Sequence, residues 1–146
     1  MAVLLSAAGC QTAATGPVAE QSGKTEDLGP PPTLPPKGLA VAPDQRFPDV
    51  PIPVDLKPMP ERTMVFETQD VAMGQMAYTT RASVNELAQF YIDEAPAADW
   101  RMVSVIQDEG AELTFRKPGK RLEVIIRDLG ITRGRSLIVR LMPESE

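Results

Sequence analysis

Residues 111–127 read Ala111-Glu-Leu-Thr-Phe-Arg-Lys117-Pro118-Gly119-Lys120-Arg-Leu-Glu-Val-Ile-Ile-Arg127. Ala111, Leu113 and Phe115 alternate with Glu112, Thr114 and Arg116. Leu122, Val124 and Ile126 alternate with Arg121, Glu123, Ile125 and Arg127. Side chains on a strand point alternately to opposite faces, so this period marks strands with one buried and one wet face. Pro118-Gly119 between them is turn chemistry. Two such strands on a short connection pair antiparallel, and the rest of the chain is read outward from this hairpin.

Upstream, Trp100 to Gln107 is strand-like and Asp108-Glu109-Gly110 supplies a tight turn. Downstream, Asp128 to Arg135 makes a longer turn with two glycines, and Ser136 to Met142 is the last strand. Glu61 to Thr68 (Met64, Val65, Phe66) and Gly74 to Thr80 (Met76, Tyr78) read as a further hairpin. Ser83-Val-Asn-Glu86 is a capping box, in which hydroxyl and carboxylate reciprocally satisfy free amides at a helix start. Val84, Leu87, Ala88, Tyr91 and Ala95 follow at helical spacing, with Phe90 beside them. Pro96 ends the helix near Glu94 or Ala95, because it has no amide to donate. The expected fold is α+β: one helix packed on a five-stranded antiparallel sheet, order β-β-α-β-β-β, over residues 61–146, preceded by a disordered Pro-rich tether.

The chain has 146 residues, no His, one Cys and a formal charge of -5. That length allows one modest domain. Without His it lacks the commonest general base and metal ligand, and one Cys makes no internal disulfide framework. The acidic balance argues against a nucleic-acid partner. Twelve of the 15 prolines fall between Pro17 and Pro60, so residues 11–60 form a linker or arm distinct from the domain at 61–146. A segment of this composition buries too little apolar surface to offset its ordering entropy. As a coil, 50 residues span roughly 40 Å, and as a polyproline helix about 155 Å. Its last part, Phe47 to Pro60, is more apolar (Val50, Ile52, Val54, Leu56, Met59) and is read either as an arm lying against the domain or as a mobile segment.

Residues 1–10 form a short apolar run ending Ala7-Ala8-Gly9-Cys10. This run is too short to span a bilayer. It resembles the end of a bacterial lipoprotein signal peptide, with small residues just before the cysteine. The resemblance implies that Cys10 is the lipidated first residue of the mature chain, and that a start codon lies upstream of Met1. Gln11 after the cysteine implies sorting to the periplasmic side of the outer membrane. Asp49-Val-Pro-Ile-Pro53, Met64-Val-Phe-Glu67, Gly74, Tyr78, Phe90-Tyr91, Trp100-Arg-Met-Val103 and Leu113-Thr-Phe-Arg-Lys117 together resemble a group of small uncharacterised proteobacterial lipoproteins. In that group a Gly commonly precedes the Trp; here Asp99 stands there. The group has no established activity, so it implies a location and a fold but no chemistry.

Catalysis is not expected, and neither cofactor nor metal is called for. The carboxylate pairs Asp93-Glu94 and Asp108-Glu109 are adjacent, whereas a glycosidase needs two carboxylates about 5–9.5 Å apart across a cleft. Ser83, Ser104 and Ser136 have no His to activate them. Phe90, Tyr91 and Trp100 read as core. The partner-binding candidates are the outward strand positions Arg101, Arg116, Arg121, Ile125, Arg127, Ile138 and Arg140, since Arg beside apolar side chains is interface composition. Expected partners are the membrane, through the lipid, and another envelope protein. The functional expectation is a lipid-anchored, non-catalytic binding or scaffolding domain of the cell envelope. The alternative is a carrier or sensor of a small apolar or lipid ligand held between helix and sheet, near Leu87, Tyr91, Trp100 and Phe115.

Overall fold

The computed structural model describes residues 38–145. Cys10, the segment 1–10 and the tether up to residue 37 lie outside the described residues. Seven strands and one α-helix occur among them: β1 (Lys57–Pro58), β2 (Met64–Glu67), β3 (Ala72–Thr80), α1 (Val84–Glu94), β4 (Arg101–Gln107), β5 (Gly110–Lys117), β6 (Lys120–Asp128) and β7 (Arg135–Pro143). All pairings are antiparallel, in the order β3-β7-β6-β5-β4, with β1 and β2 both on the free edge of β3. The fold is therefore α+β with one helix on an antiparallel sheet, but the expected five strands and the order β-β-α-β-β-β are corrected. Three turns after the helix join four strands, not three. The additional strand β1 comes from chain assigned to the linker, where a two-residue pairing leaves no periodicity to detect.

Register explains the alternation in the central hairpin. Leu113, Val124, Val139 and Met76 lie side by side across β5, β6, β7 and β3. Phe115, Leu122 and Leu141 form the next row, and Ala111, Ile126, Leu137 and Tyr78 the one beyond. This inner face carries α1, whose buried side is Leu87, Ala88, Phe90 and Tyr91. The helix starts at the predicted box: Ser83 Oγ accepts from the Glu86 amide at 3.2 Å and the Ser83 amide donates to the Glu86 carboxylate at 2.7 Å. It ends at Ala95, and a 3-10 turn over Pro96–Ala98 closes on Asp99 at φ +64. A left-handed backbone is easiest for Gly, so Asp99 holds a conformation that costs a side-chain-bearing residue free energy.

The arm before β1 belongs to the core. Phe47, Val50 and Ile52 join the cluster formed by the sheet and α1, and Phe47 is 1% exposed. The packed unit therefore extends upstream of the expected boundary at residue 61. The arm folds on itself first: the Ala42 amide donates to the Ile52 carbonyl at 2.7 Å and the Val54 amide to the Ala40 carbonyl at 2.9 Å. The prolines sit where no ladder amide is needed; Pro53, paired with Val41, contributes a carbonyl and a side chain only. The Asp49 carboxylate then fastens the arm to the end of the β5–β6 hairpin, at 2.9 Å from Lys120 Nζ and 3.6 Å from Lys117 Nζ. The indole of Trp100 donates to the Asp49 carbonyl, and Lys117 Nζ stands 5.7 Å from the centre of the Trp100 ring. Burial opposes ionisation of Asp49, but the Lys120 hydrogen bond and the charges of Lys120 and Lys117 outweigh it and hold its pKa below the ordinary 3.8.

Candidate functional site: the outer face of the sheet

The face away from α1 carries the expected docking residues, and register decides which of them meet. Arg101 is opposite Arg116, Arg116 opposite Arg121, and Arg121 opposite Met142. Continuing the β3–β7 register one residue past Gly74–Leu141 puts Met142 beside Met73, which pairs with Phe66 on β2. One transverse strip thus runs Arg101, Arg116, Arg121, Met142, Met73, Phe66. With strands about 4.8 Å apart it is roughly 25 Å long, cationic at one end and apolar at the other.

Like charges directly opposite on neighbouring strands are destabilising, so a three-Arg row needs counter-charge. Two of the three have it: Arg116 meets Glu144 at 3.1 Å and Arg121 meets Glu123 at 3.0 Å. Arg101 has no ion pair among the described residues. Arg101, Arg116, Lys117, Glu144 and Ser145 border a polar hollow of about 350 Å³.

The apolar end is a groove of about 550 Å³ lined by Met64, Phe66, Met73, Gln75, Arg140, Met142 and backbone near Gly74 and Pro143. Met64 is 78% and Phe66 57% exposed. Gly74, at φ +154, lets β2 come close: a Cβ there would collide with the Met64 carbonyl and the Val65 Cα.

The other expected residues are distributed differently. Arg140 lies in the adjacent row, its Nε donating to Gln75 Oε1 at 2.8 Å and its guanidinium 3.9 Å from Glu123. Ile125 and Ile138 are cross-strand neighbours, but Ile138 is only 8% exposed and Ile125 half-buried, so they are not the open apolar surface expected. Ala77, the neighbour of Ile138 on β3, is itself fully buried. Arg127 is exposed next to Ser136, away from the Arg row. Met64, Phe66, Met73 and Met142 were not singled out. The available signal was Met64-Val65-Phe66, a strand apolar on both faces and so lacking the polar half of the alternation.

Leu87, Tyr91, Trp100 and Phe115, expected around an interior ligand, are buried in one cluster and line none of the hollows described here. Phe90 and Tyr91 meet edge to face with centroids 5.2 Å apart. Burial, together with neighbouring Tyr78, pushes the Tyr91 phenol well above its ordinary pKa of 10.0. Asp108 accepts from the Gly110 amide at 2.9 Å, a turn contact, and Asp93 accepts from the Gln89 amide group at 2.8 Å on the helix surface. Among the described residues no cluster of three or more His, Cys, Asp or Glu could hold a metal ion. Among them, too, no helix is long and apolar enough to cross a membrane.

A family model described as START domain-like matches residues 61–132, from just before β2 into the β6–β7 loop. No curated protein and no solved structure matches the chain.

Proposed function

We propose that this chain is a non-catalytic binding module, held at the bacterial cell envelope by lipid on Cys10, that docks a partner along the outer strip of its sheet. The observation that carries the docking reading is the strip itself. Three arginines aligned across three strands run into a Met- and Phe-lined groove on a protein whose net charge is -5. A positive patch on an acidic protein is an oriented feature, and the occupant that complements it is a segment bearing carboxylates at one end and apolar side chains at the other. Methionines suit such a surface because their unbranched side chains adapt to varied shapes. A protein of the envelope carrying such a segment fits this surface, and the Glu144 carboxylate against Arg116 imitates its acidic end. The START domain-like match supports a binding role.

The envelope assignment rests on Ala7-Ala8-Gly9-Cys10 and the proline-rich stretch that follows. Metabolic labelling with a clickable fatty acid tests it. Label that survives hydroxylamine treatment and is absent from Cys10→Ser supports the anchor, and an unlabelled chain refutes it. Docking is tested by co-purification from solubilised envelopes. Arg116→Glu with Arg121→Glu, on exposed or half-exposed positions, is expected to remove a partner that the wild type retains, with an unchanged circular dichroism spectrum. Retention of the same partner by the double variant refutes the strip.

A second reading, favoured by the START domain-like match together with the apolar groove of about 550 Å³, is a carrier of a small apolar anion. The filled helix–sheet interior moves such a ligand to the outer groove. Native mass spectrometry of the protein purified from envelopes separates the two readings: a co-purifying acidic lipid lost in Phe66→Asp favours the carrier.

A further inference from the structure

Among the described residues β4 is the longest free edge of the sheet. All seven of its residues are exposed, and Met102, Val103, Val105 and Ile106 are large and apolar. The opposite edge is divided between two-residue β1 and four-residue β2. α1 packs over β5 and β6. A long edge presents a row of unpaired backbone donors and acceptors, which proteins ordinarily blunt with Pro, Lys, inward charges or a bulge. β4 has only the last of these, between Met102 and Ser104, and Ser104 to Gln107 run on in regular register.

We propose that β4 is a pairing surface for a second copy of this chain, with the two β4 strands antiparallel about a two-fold axis at Val105. Charge selects this partner and this register. Arg101 opens the strand, and Asp108-Glu109 follows its end. Antiparallel pairing sets the start of one strand against the end of the other, so each Arg101 meets the Asp108-Glu109 pair of the second copy. Parallel pairing would stack arginine on arginine and carboxylate on carboxylate. Faces also match: Val105 meets its counterpart on the helix side, and Ser104 meets Ile106 of the second copy on the outer side, as the register with β5 dictates. Moving the axis to Ser104 leaves Arg101 short of the acidic pair, and moving it to Ile106 carries Arg101 past the pair. With the axis perpendicular to the sheet, both outer strips share one continuous surface. This inference stands on the β4 edge alone and does not depend on the strip having a partner.

The test is sedimentation velocity of the full chain from ~1 to ~100 µM, where an association of micromolar Kd is visible. Reducing agent is present throughout, so that Cys10 cannot cross-link two copies. Wild type is expected to shift from monomer to dimer, and Arg101→Glu to weaken dimerisation about tenfold or more. Arg101→Glu combined with Asp108→Arg and Glu109→Arg restores complementarity and is expected to restore the dimer. Val105→Pro removes an amide from the edge and is expected to give a folded monomer, checked by near-ultraviolet circular dichroism. Wild type monomeric at the highest concentration, Arg101→Glu dimerising as tightly as wild type, or no rescue by the charge swap each overturns the proposal.

Discussion

Replacing Phe47 with Ala separates an arm that belongs to the fold from one that merely rests on it. Phe47 is 1% exposed and packs with Val50 and Ile52 into the cluster that α1 and the sheet share. Truncating a buried Phe costs about 3–5 kcal/mol, a large fraction of the roughly 5–15 kcal/mol that stabilises a domain of this size. Urea unfolding followed by the fluorescence of Trp100 is the apt assay, because this lone Trp donates its indole hydrogen to the Asp49 carbonyl of the arm. With a urea dependence of about 1.5–2 kcal/mol per molar, a loss of about 3 kcal/mol lowers the midpoint by about 1.5–2 M. Circular dichroism, dominated by the sheet, should trace the same single transition. If the arm peeled away on its own, the loss would be capped at its docking energy and the Trp100 signal would change first. A loss below about 1 kcal/mol, or a fluorescence transition preceding the dichroism one, refutes the argument that the arm completes the core.

Asp49 makes that attachment pH-dependent. Its folded-state pKa is lowered, so its contribution is present above the ordinary 3.8 and is lost as pH falls through the lower folded value. Acid titration monitored at Trp100 should therefore show a step below about pH 4 that is absent in Asp49→Asn. Ser83→Ala removes the acceptor for the Glu86 amide and should cost about 1 kcal/mol in urea unfolding. Asp99→Gly should match or exceed wild-type stability, whereas Asp99→Val should lose about 1–2 kcal/mol, since φ is +64 there. Gly74→Ala should displace β2 and open the groove, seen as loss of amide-exchange protection at Met64–Glu67 with the central strands unchanged.

The parts of the fold that were legible are those in which local chemistry and burial agree. The alternation of 111–127, the Ser83–Glu86 box and Pro96 each restrict the backbone regardless of what lies far away, and each is found as read. The arm was ambiguous because its signals conflict. Its prolines argue against regular structure, whereas Phe47, Val50 and Ile52 join a buried cluster built by residues far along the chain, and Asp49 between them is held by Trp100 and Lys120, 51 and 71 residues away. The strand count failed at β1 because a two-residue pairing is decided by β3 and not by its own residues. For the site, outward-pointing arginines could be recognised from parity, but their alignment could not. Which of them face one another depends on register across four strands, and that brings Arg101, Arg116 and Arg121 into line while setting Arg127 apart. The groove escaped notice because β2 is apolar on both sides, and only pairing with β3 shows which side is open.

The central claim is that the outer strip touches a partner in the cell. A photo-crosslinking amino acid placed at Met73, in the apolar end of the strip, and at Gln89, on the exposed side of α1, tests it in intact bacteria producing the full chain. The account predicts a discrete crosslinked product from position 73 that disappears with Arg116→Glu and Arg121→Glu, and none of that mass from position 89. Equal products from both positions, or a product at position 73 indifferent to the two reversals, would contradict it.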